Sequence, residues 1–332
     1  MTAPPRVRPD TINRLVNSVY PGFALLAGMQ LDVFTPLAEG SKDSAALAGE
    51  MGVRADLLET VLYALAATGL LTVEEGRFAN TPEADRFLVR GSKDYLGSNH
   101  EVFSDLWSAA LRTADTVRSG APQAKHDFAA MSPDALRSFF RGLDAAARAS
   151  ARKLRRDFDF TGHRHLLDAG GGSGGIAVDM CRSFPDLRAT VADLPSVTPI
   201  TAEFIADAEF SERIDTFACN IVEEPPGGPY DVAVLRAFVQ VLSMENAARA
   251  LANIARALAP GGRIYIMGRM VDDSRLGPPE SVAFNFVFVN IYDDGRAYTE
   301  AEHREWLAAA GFRDIERHRI GEGNSIMTAT RA

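Results

Sequence analysis

Cysteine is scarce in this chain: Cys181 and Cys219 are the only two in 332 residues. They form neither a CxxC pair nor a Cys/His spacing, which argues against a disulfide framework and against a structural zinc site. Positive charge is in deficit too, with 35 Lys and Arg against 44 Asp and Glu, a formal net charge of -9. A protein that reads the nucleic-acid backbone needs a basic face to displace counterions, so no nucleic-acid partner is expected. The local cluster "ARKLRRDF", Ala151 to Phe158, sits in an amphipathic helical stretch and reads as a solvated helix face. No window approaches the ~20 apolar residues of a membrane span, and "MTAPPRVRPD" lacks the apolar centre of a signal peptide. A cytoplasmic, reducing setting follows as the expectation. None of the six histidines falls in a metal-ligand spacing, so no metal is expected.

What is present suffices for two domains: the chain is long, and 46% of it is hydrophobic. The N-terminal pattern predicts helices over Thr11 to Met29, Ser44 to Met51 and Arg54 to Leu70. Two short strands follow about a turn at Glu75 and Gly76, then a helix launched by Thr81 and Pro82. Three helices and a β-wing make a winged-helix module. The helix that would enter a major groove offers Arg54 as its cation against Asp56 and Glu59, and is apolar on nearly every face. Such a helix belongs inside a packed assembly, which favours dimerisation over DNA binding. Residues 90 to 160 read as further helices, with His100, Phe103 and Trp107 on one stripe, a break at "RSGAPQA", and a helix from Pro133 to Phe158.

From His165 the pattern becomes strand, helix, strand, helix. "HLLDA", "RATVAD", "DTFACN", "YDVAVLRA" and "RIYIMGRM" read as strands, with helices at Gly175 to Ser183, Thr198 to Ala208, Glu245 to Leu258 and Thr299 to Ala310. This alternation predicts an α/β domain whose mainly parallel sheet carries helices on both faces. "RDIERHRI" and "SIMTATRA" flank "GEGN", a turn that makes the last two strands an antiparallel hairpin.

The run "HLLDAGGGSGG", residues 165 to 175, places glycines at a strand-to-helix turn, where bare backbone can approach a ligand and the helix N-terminus offers N–H donors. Asp193, 19 residues after Gly174 at the end of the next strand, can accept hydrogen bonds from two ribose hydroxyls. A nucleoside ligand follows, with a dinucleotide and S-adenosylmethionine as the competing candidates. Asp168 separates them. A carboxylate at the strand end repels pyrophosphate but suits the ammonium of a methionyl group.

"LLDAGGGSGG", "VADLPSV", "ALAPGGRIYI" and "GRAYTEAEHREWLAAAGF", with "GRFANTPEADRFL" near the N-terminus, resemble the S-adenosylmethionine-dependent O-methyltransferase family of the plant caffeate and bacterial hydroxyneurosporene type. The resemblance spans nearly the whole chain. It implies a winged-helix-like dimerisation domain over 1–100, a helical linker and substrate lid over 101–160, and a Rossmann-like class I methyltransferase domain with an antiparallel C-terminal hairpin over 161–332. It further implies a homodimer acting on a small molecule. By position, Asp168 and Gly170, Gly171 and Gly172 would lie along the methionyl part of the cofactor. Asp193 and Leu194 would hold the ribose and adenine edge, Asn220 and Ile221 would lie against adenine, and Arg236 near the cofactor.

The family's base is missing. Where relatives with phenolic substrates read His-Asp-Trp, this chain has Gln240, Val241 and Leu242, and the two acids that orient the His correspond to Gly268 and Ala297. A phenol of pKa ~10 costs about 4 kcal/mol to ionise at pH 7, which a positioned base normally offsets, whereas alignment alone can supply ~7–11 kcal/mol to an in-line displacement. Loss of the base therefore points to an acceptor that is already nucleophilic: a thioether sulfur, as in methylthio-hydroxy acids, or an activated carbon. Gln240 would then orient the acceptor. Three alternatives stand beside this: an O-methyltransferase with a relocated base such as His100, a non-methylating enzyme that keeps the cofactor, and a winged-helix regulator. Asp105, Tyr292, Asp293 and Asp294 are further polar candidates near the pocket. Phe103, Trp107, Asn285 and Asn290 are candidate substrate contacts, and Arg269 is a candidate carboxylate anchor.

Overall fold

The computed structural model describes residues 7–321 and 323–332. Most of "MTAPPRVRPD", and Glu322 of the "GEGN" turn, lie outside the described residues. The chain divides into two compact units, Met1–Ser104 and Asp105–Ala332.

The first unit runs α1 (Asp10–Asn17), α2 (Tyr20–Leu31), α3 (Phe34–Leu37), β1 (Lys42–Asp43), α4 (Ser44–Met51), α5 (Ala55–Ala67), β2 (Leu71–Glu74), β3 (Arg77–Asn80) and α6 (Pro82–Leu88). The single helix expected over Thr11 to Met29 is two. Pro21, in the first turn of α2, has no N–H to donate and its ring obstructs the carbonyl four residues back, so a new helix starts there. The strands pair antiparallel in the order β1-β3-β2, which is the wing. Thr81 caps α6 by accepting from the Ala84 N–H, with Pro82 in the first turn, as the sequence requires. Leu58, Leu62 and Leu65 of α5 enter the unit's core, but Leu57 (59% exposed) and Tyr63 do not, so this helix is apolar on a second, open face. Helix α1 buries nothing: Ile12, Leu15 and Val16 are all exposed, as are Val19, Tyr20 and Phe23 after it.

Helix α7 (His100–Ala110) crosses the boundary between the units, and α8 (Thr113–Ser119) and α9 (Pro133–Asp157) follow. Then come β4 (His165–Ala169), α10 (Gly175–Ser183), β5 (Arg188–Asp193), α11 (Thr198–Asp207), β6 (Ile214–Ala218), β7 (Tyr230–Arg236), α12 (Met244–Ala257) and β8 (Leu258–Val271). The chain ends with α13 (Pro279–Ile291), β9 (Tyr298–Thr299), α14 (Glu300–Ala309), β10 (Phe312–Gly321) and β11 (Asn324–Arg331). The main sheet has the order β10-β11-β8-β7-β4-β5-β6, parallel from β8 to β6, with the β10–β11 hairpin antiparallel at one edge. Apolar clusters cover both faces. This is a Rossmann-like class I methyltransferase sheet. Chain progression reverses between β4 and β7, and in open α/β sheets ligands bind outside the carboxyl ends of the strands at such a switch point. Asp168, Asp193 and Arg236 stand at the carboxyl ends of β4, β5 and β7. No helix among the described residues is long and apolar enough to cross a membrane.

Candidate active site

Asp168 is fully buried beneath the glycine turn. Its Oδ2 accepts from the Ala177 N–H at 3.2 Å, while Oδ1 is buried with no hydrogen-bond partner. Burial drives its pKa up to about 7, Asp193 adds repulsion, and the Ala177 N–H and the Arg236 charge hold it down. A lone carboxylate oxygen in this setting costs stability unless a donor meets it.

The turn itself is pinned from several sides. Gly170 donates to the Ala192 carbonyl at 2.7 Å, Gly172 donates to Asp193 Oδ2 at 2.9 Å, and Thr201 Oγ1 donates to the Gly172 carbonyl at 2.6 Å. Ser173 Oγ donates to Asp144 Oδ1 of α9 at 2.8 Å. Gly170 and Gly172 have φ of +65° and +56°, and a Cβ on either would strike an aromatic ring, Phe238 over Gly170 and Phe140 over Gly172. Only glycine fits these two positions.

Asp193 accepts one N–H on each oxygen, Gly172 on Oδ2 and Leu194 on Oδ1 at 2.8 Å. Two lone-pair sites remain for a diol. Burial raises its pKa to about 6 against those two donors. The Cys219 N–H donates to the Asp193 carbonyl at 2.9 Å, which seats Asn220 beside it. Asn220 folds into a local turn, accepting from the Val222 N–H at 3.1 Å and donating to Glu223 Oε1 at 2.9 Å. Ile221 is buried behind it. Arg236 donates from Nε to Ser150 Oγ at 2.9 Å, and burial lowers its pKa while Asp168 opposes the shift.

Gln240 lies on a short 3-10 turn, Val239–Val241, after β7. Its Oε1 accepts from the Arg269 N–H at 3.0 Å, and a Cβ on Gly268 would meet that oxygen at 2.6 Å. The Gln240 amide thus occupies the room left at Gly268. The Ala297 N–H donates to Asn285 Oδ1 at 2.8 Å. The Arg269 guanidinium stacks 4.0 Å over the Phe284 ring. Asn290 is fully buried and committed to packing: it accepts from Thr116 Oγ1 at 2.5 Å and donates to Thr113 Oγ1 and the Phe286 carbonyl. Trp107 lies on α7 within the second unit, whereas His100 and Phe103 belong to the first, where Phe103 packs against that unit's core.

Sequence reading passed over His126. Its Nε2 lies 2.8 Å from Asp105 Oδ2, its side chain is 6% exposed, and its Nδ1 is buried with no hydrogen-bond partner. The ring meets Phe139 at 5.5 Å, Phe128 at 6.1 Å and Tyr292 at 6.4 Å, all edge-on. Through Phe128 and Phe139 these contacts lead back to the turn, since both rings pack on Phe140, which covers Gly172. Tyr292 Cδ2 and the Gln240 carbonyl each lie 2.8 Å from where a Cβ on Gly295 would stand, and Phe238 covers Gly170.

Residues 114–313 match the family model of the O-methyltransferase domain, and residues 13–90 that of the O-methyltransferase dimerisation domain. The chain belongs to the O-methyltransferase family. It is 30% identical to the 3-hydroxy-5-methyl-1-naphthoate 3-O-methyltransferase of Streptomyces sahachiroi, covering 100% of this chain and 98% of that protein. It is 31% identical to the tetracenomycin polyketide synthesis 8-O-methyl transferase TcmO of Streptomyces glaucescens, covering 95% of each. The fold matches that of human N-acetylserotonin methyltransferase, solved in complex with SAM, with a TM-score of 0.86 at 23% identity over the whole of both chains. As a member of this family the chain is an S-adenosylmethionine-dependent methyltransferase. A winged-helix regulator has no support, since the wing belongs to the matched dimerisation domain. The residues present fit the cofactor: Asp168 Oδ1 is a buried acceptor in want of a donor, and the turn bares its backbone where side chains would collide.

Proposed function

We propose that this homodimeric enzyme methylates a phenolic hydroxyl on a flat, fused-ring aromatic acceptor. The observation that carries this reading is the aromatic cluster of His126, Phe128, Phe139 and Tyr292, joined through Phe140 to Gly172 of the turn, because a planar molecule is best received by ring edges and faces. The two relatives above support it, since their names place methyl groups on a hydroxynaphthoate oxygen and on an oxygen in tetracenomycin polyketide synthesis.

Bound S-adenosylmethionine supplies an electrophilic methyl carbon. Asp168 would accept from its ammonium, with Gly170, Gly171 and Gly172 along the methionyl chain and Arg236 favouring the ionised form of the buried acid. Asp193 would take the ribose diol, Leu194 and Ile221 would flank adenine, and Asn220 would offer its remaining amide hydrogen and lone pair to the adenine edge. Gln240 is a positioning residue. With its carbonyl held by the Arg269 N–H, its NH₂ makes no hydrogen bond among the described residues and can donate to the acceptor oxygen. Arg269 anchors an acceptor carboxylate, Trp107 and Asn285 contribute to the acceptor side, and Asn290 holds α13 to α8. The open apolar face of α1 and α2 is the surface buried in the dimer.

A second reading, transfer to thioether sulfur or an activated carbon, is favoured by one observation: the amide at 240 cannot take a proton. S-adenosylhomocysteine release on matched phenol, enol, thioether and carboxyl acceptors separates the two. Turnover of hydroxynaphthoates is the expected result. Turnover confined to thioethers, at a rate flat between pH 6 and 9, would establish the second reading.

A further inference from the structure

We propose that His126, oriented by Asp105, is the base that removes the acceptor's proton, a role that rests on the phenol reading above. The geometry favours one tautomer. With Asp105 Oδ2 2.8 Å from Nε2, the neutral ring carries its hydrogen there and donates it to the carboxylate, leaving Nδ1 bare. That nitrogen is buried without a partner on a side chain that is 94% enclosed. A buried acceptor left unpaired is costly and uncommon, and a histidine kept only for packing finds partners, as His303 does through Nδ1 and the Thr299 carbonyl. The His126 ring is joined to Gly172 of the turn through Phe139 and Phe140, so an aromatic acceptor seated beside these rings would present its hydroxyl to Nδ1.

The proton and the electrons balance without a further reagent. The O–H proton passes to Nδ1, the oxygen's electron pair forms the bond to the methyl carbon, and the pair of the broken C–S bond returns to sulfur. The resulting imidazolium is stabilised by the Asp105 carboxylate, which makes Asp105 a positioning residue. The base is thus carried by the loop before α9 and its orienting acid by α7. The charged and titratable groups around the ring are Asp105 from α7, Lys125 and Asp127 beside it in the loop, and Tyr292 and Asp293 after α13. Lys125 is paired with Asp293 at 2.6 Å, and Asp127 accepts from the Ala129 and Ala130 N–H groups. Burial holds the Tyr292 phenol well above its ordinary value and Asp105 adds to this, so Tyr292 stays neutral.

The test uses the full chain, S-adenosylmethionine and 3-hydroxy-1-naphthoate as probe. In His126→Gln the rate at pH 7 is expected to fall roughly 10²–10⁴-fold, with the loss shrinking towards pH 10 as the phenol ionises unaided, while S-adenosylhomocysteine affinity is retained. Nitrogen-15 NMR of the enzyme without ligands, with His126 assigned by comparison with the variant, should show the Nε2–H tautomer. Asp105→Asn, at a half-exposed position that leaves packing intact, should cost about tenfold in rate without moving S-adenosylhomocysteine affinity, and it decides the matter if His126→Gln fails to fold. A wild-type rate and pH profile in either variant, or loss of turnover in His100→Ala with His126→Gln tolerated, overturns the assignment. If the wild type binds S-adenosylhomocysteine but methylates no phenol, the acceptor reading fails and this proposal with it. If it methylates the probe and His126→Gln does so equally, only this proposal fails.

Discussion

The side-chain carbonyl of Gln240 stands 2.6 Å from where a Cβ on Gly268 would be, and the backbone N–H of the next residue, Arg269, holds it there. The two positions are filled as a pair. The empty side of Gly268 receives the Gln240 amide.

Gly268→Ala should therefore destabilise by about 1–3 kcal/mol through overpacking, and Gln240→Ala in the same chain should restore part of that loss. A double-mutant cycle on thermal midpoints reads the coupling. Strict additivity would show that the two side chains do not compete for one space.

The buried acid sets a pH dependence. The pKa of Asp168 is raised to about 7, so the stabilising contribution of its protonated form is complete below the ordinary carboxylate value and is lost as pH rises through about 7. Asp168→Asn does not titrate. Without cofactor, this variant should gain stability relative to the wild type as pH rises from 4 to 8, by on the order of a few kcal/mol at ~1.4 kcal/mol per unit. Denaturant unfolding across that range checks it, and parallel curves for the two proteins would contradict it.

Cofactor binding should run the other way. A ligand ammonium favours the ionised carboxylate, so S-adenosylhomocysteine binding between pH 6 and 7 should release a proton from Asp168. Calorimetry in two buffers of different ionisation enthalpy measures it. An identical heat in both would remove Asp168 from the ammonium contact.

Gly172→Ala combines a left-handed backbone with a collision against Phe140. It should weaken S-adenosylhomocysteine at least tenfold, which is ~1.4 kcal/mol, while the N-terminal unit stays folded. Unchanged affinity would show that the turn does not shape the ligand site.

Charge placed on the open face of α1 should separate the protomers. Leu15 is 55% exposed within one chain. Leu15→Glu is expected to shift light-scattering mass from dimer to monomer at micromolar protein, and a wild-type mass for the variant would place the interface elsewhere.

The strand ends that carry Asp168 and Asp193, and the glycine turn between them, were legible in the sequence because they are local features. The wing was legible for the same reason, through Thr81 and Pro82. The break between α1 and α2 was missed because the apolar spacing continues across Pro21. His126 and Asp105 are twenty-one positions apart, on a loop and on a helix, and no period joins them. Only packing among Phe128, Phe139 and Tyr292 brings that pair among rings that reach the glycine turn through Phe140.

The site at the ends of β4 and β5 is the claim on which the rest depends, and titration calorimetry of the wild-type protein addresses it most directly. S-adenosylhomocysteine should bind with measurable heat that Asp168→Ala abolishes, while NAD gives none. Uptake of NAD without any response to S-adenosylhomocysteine would contradict the account.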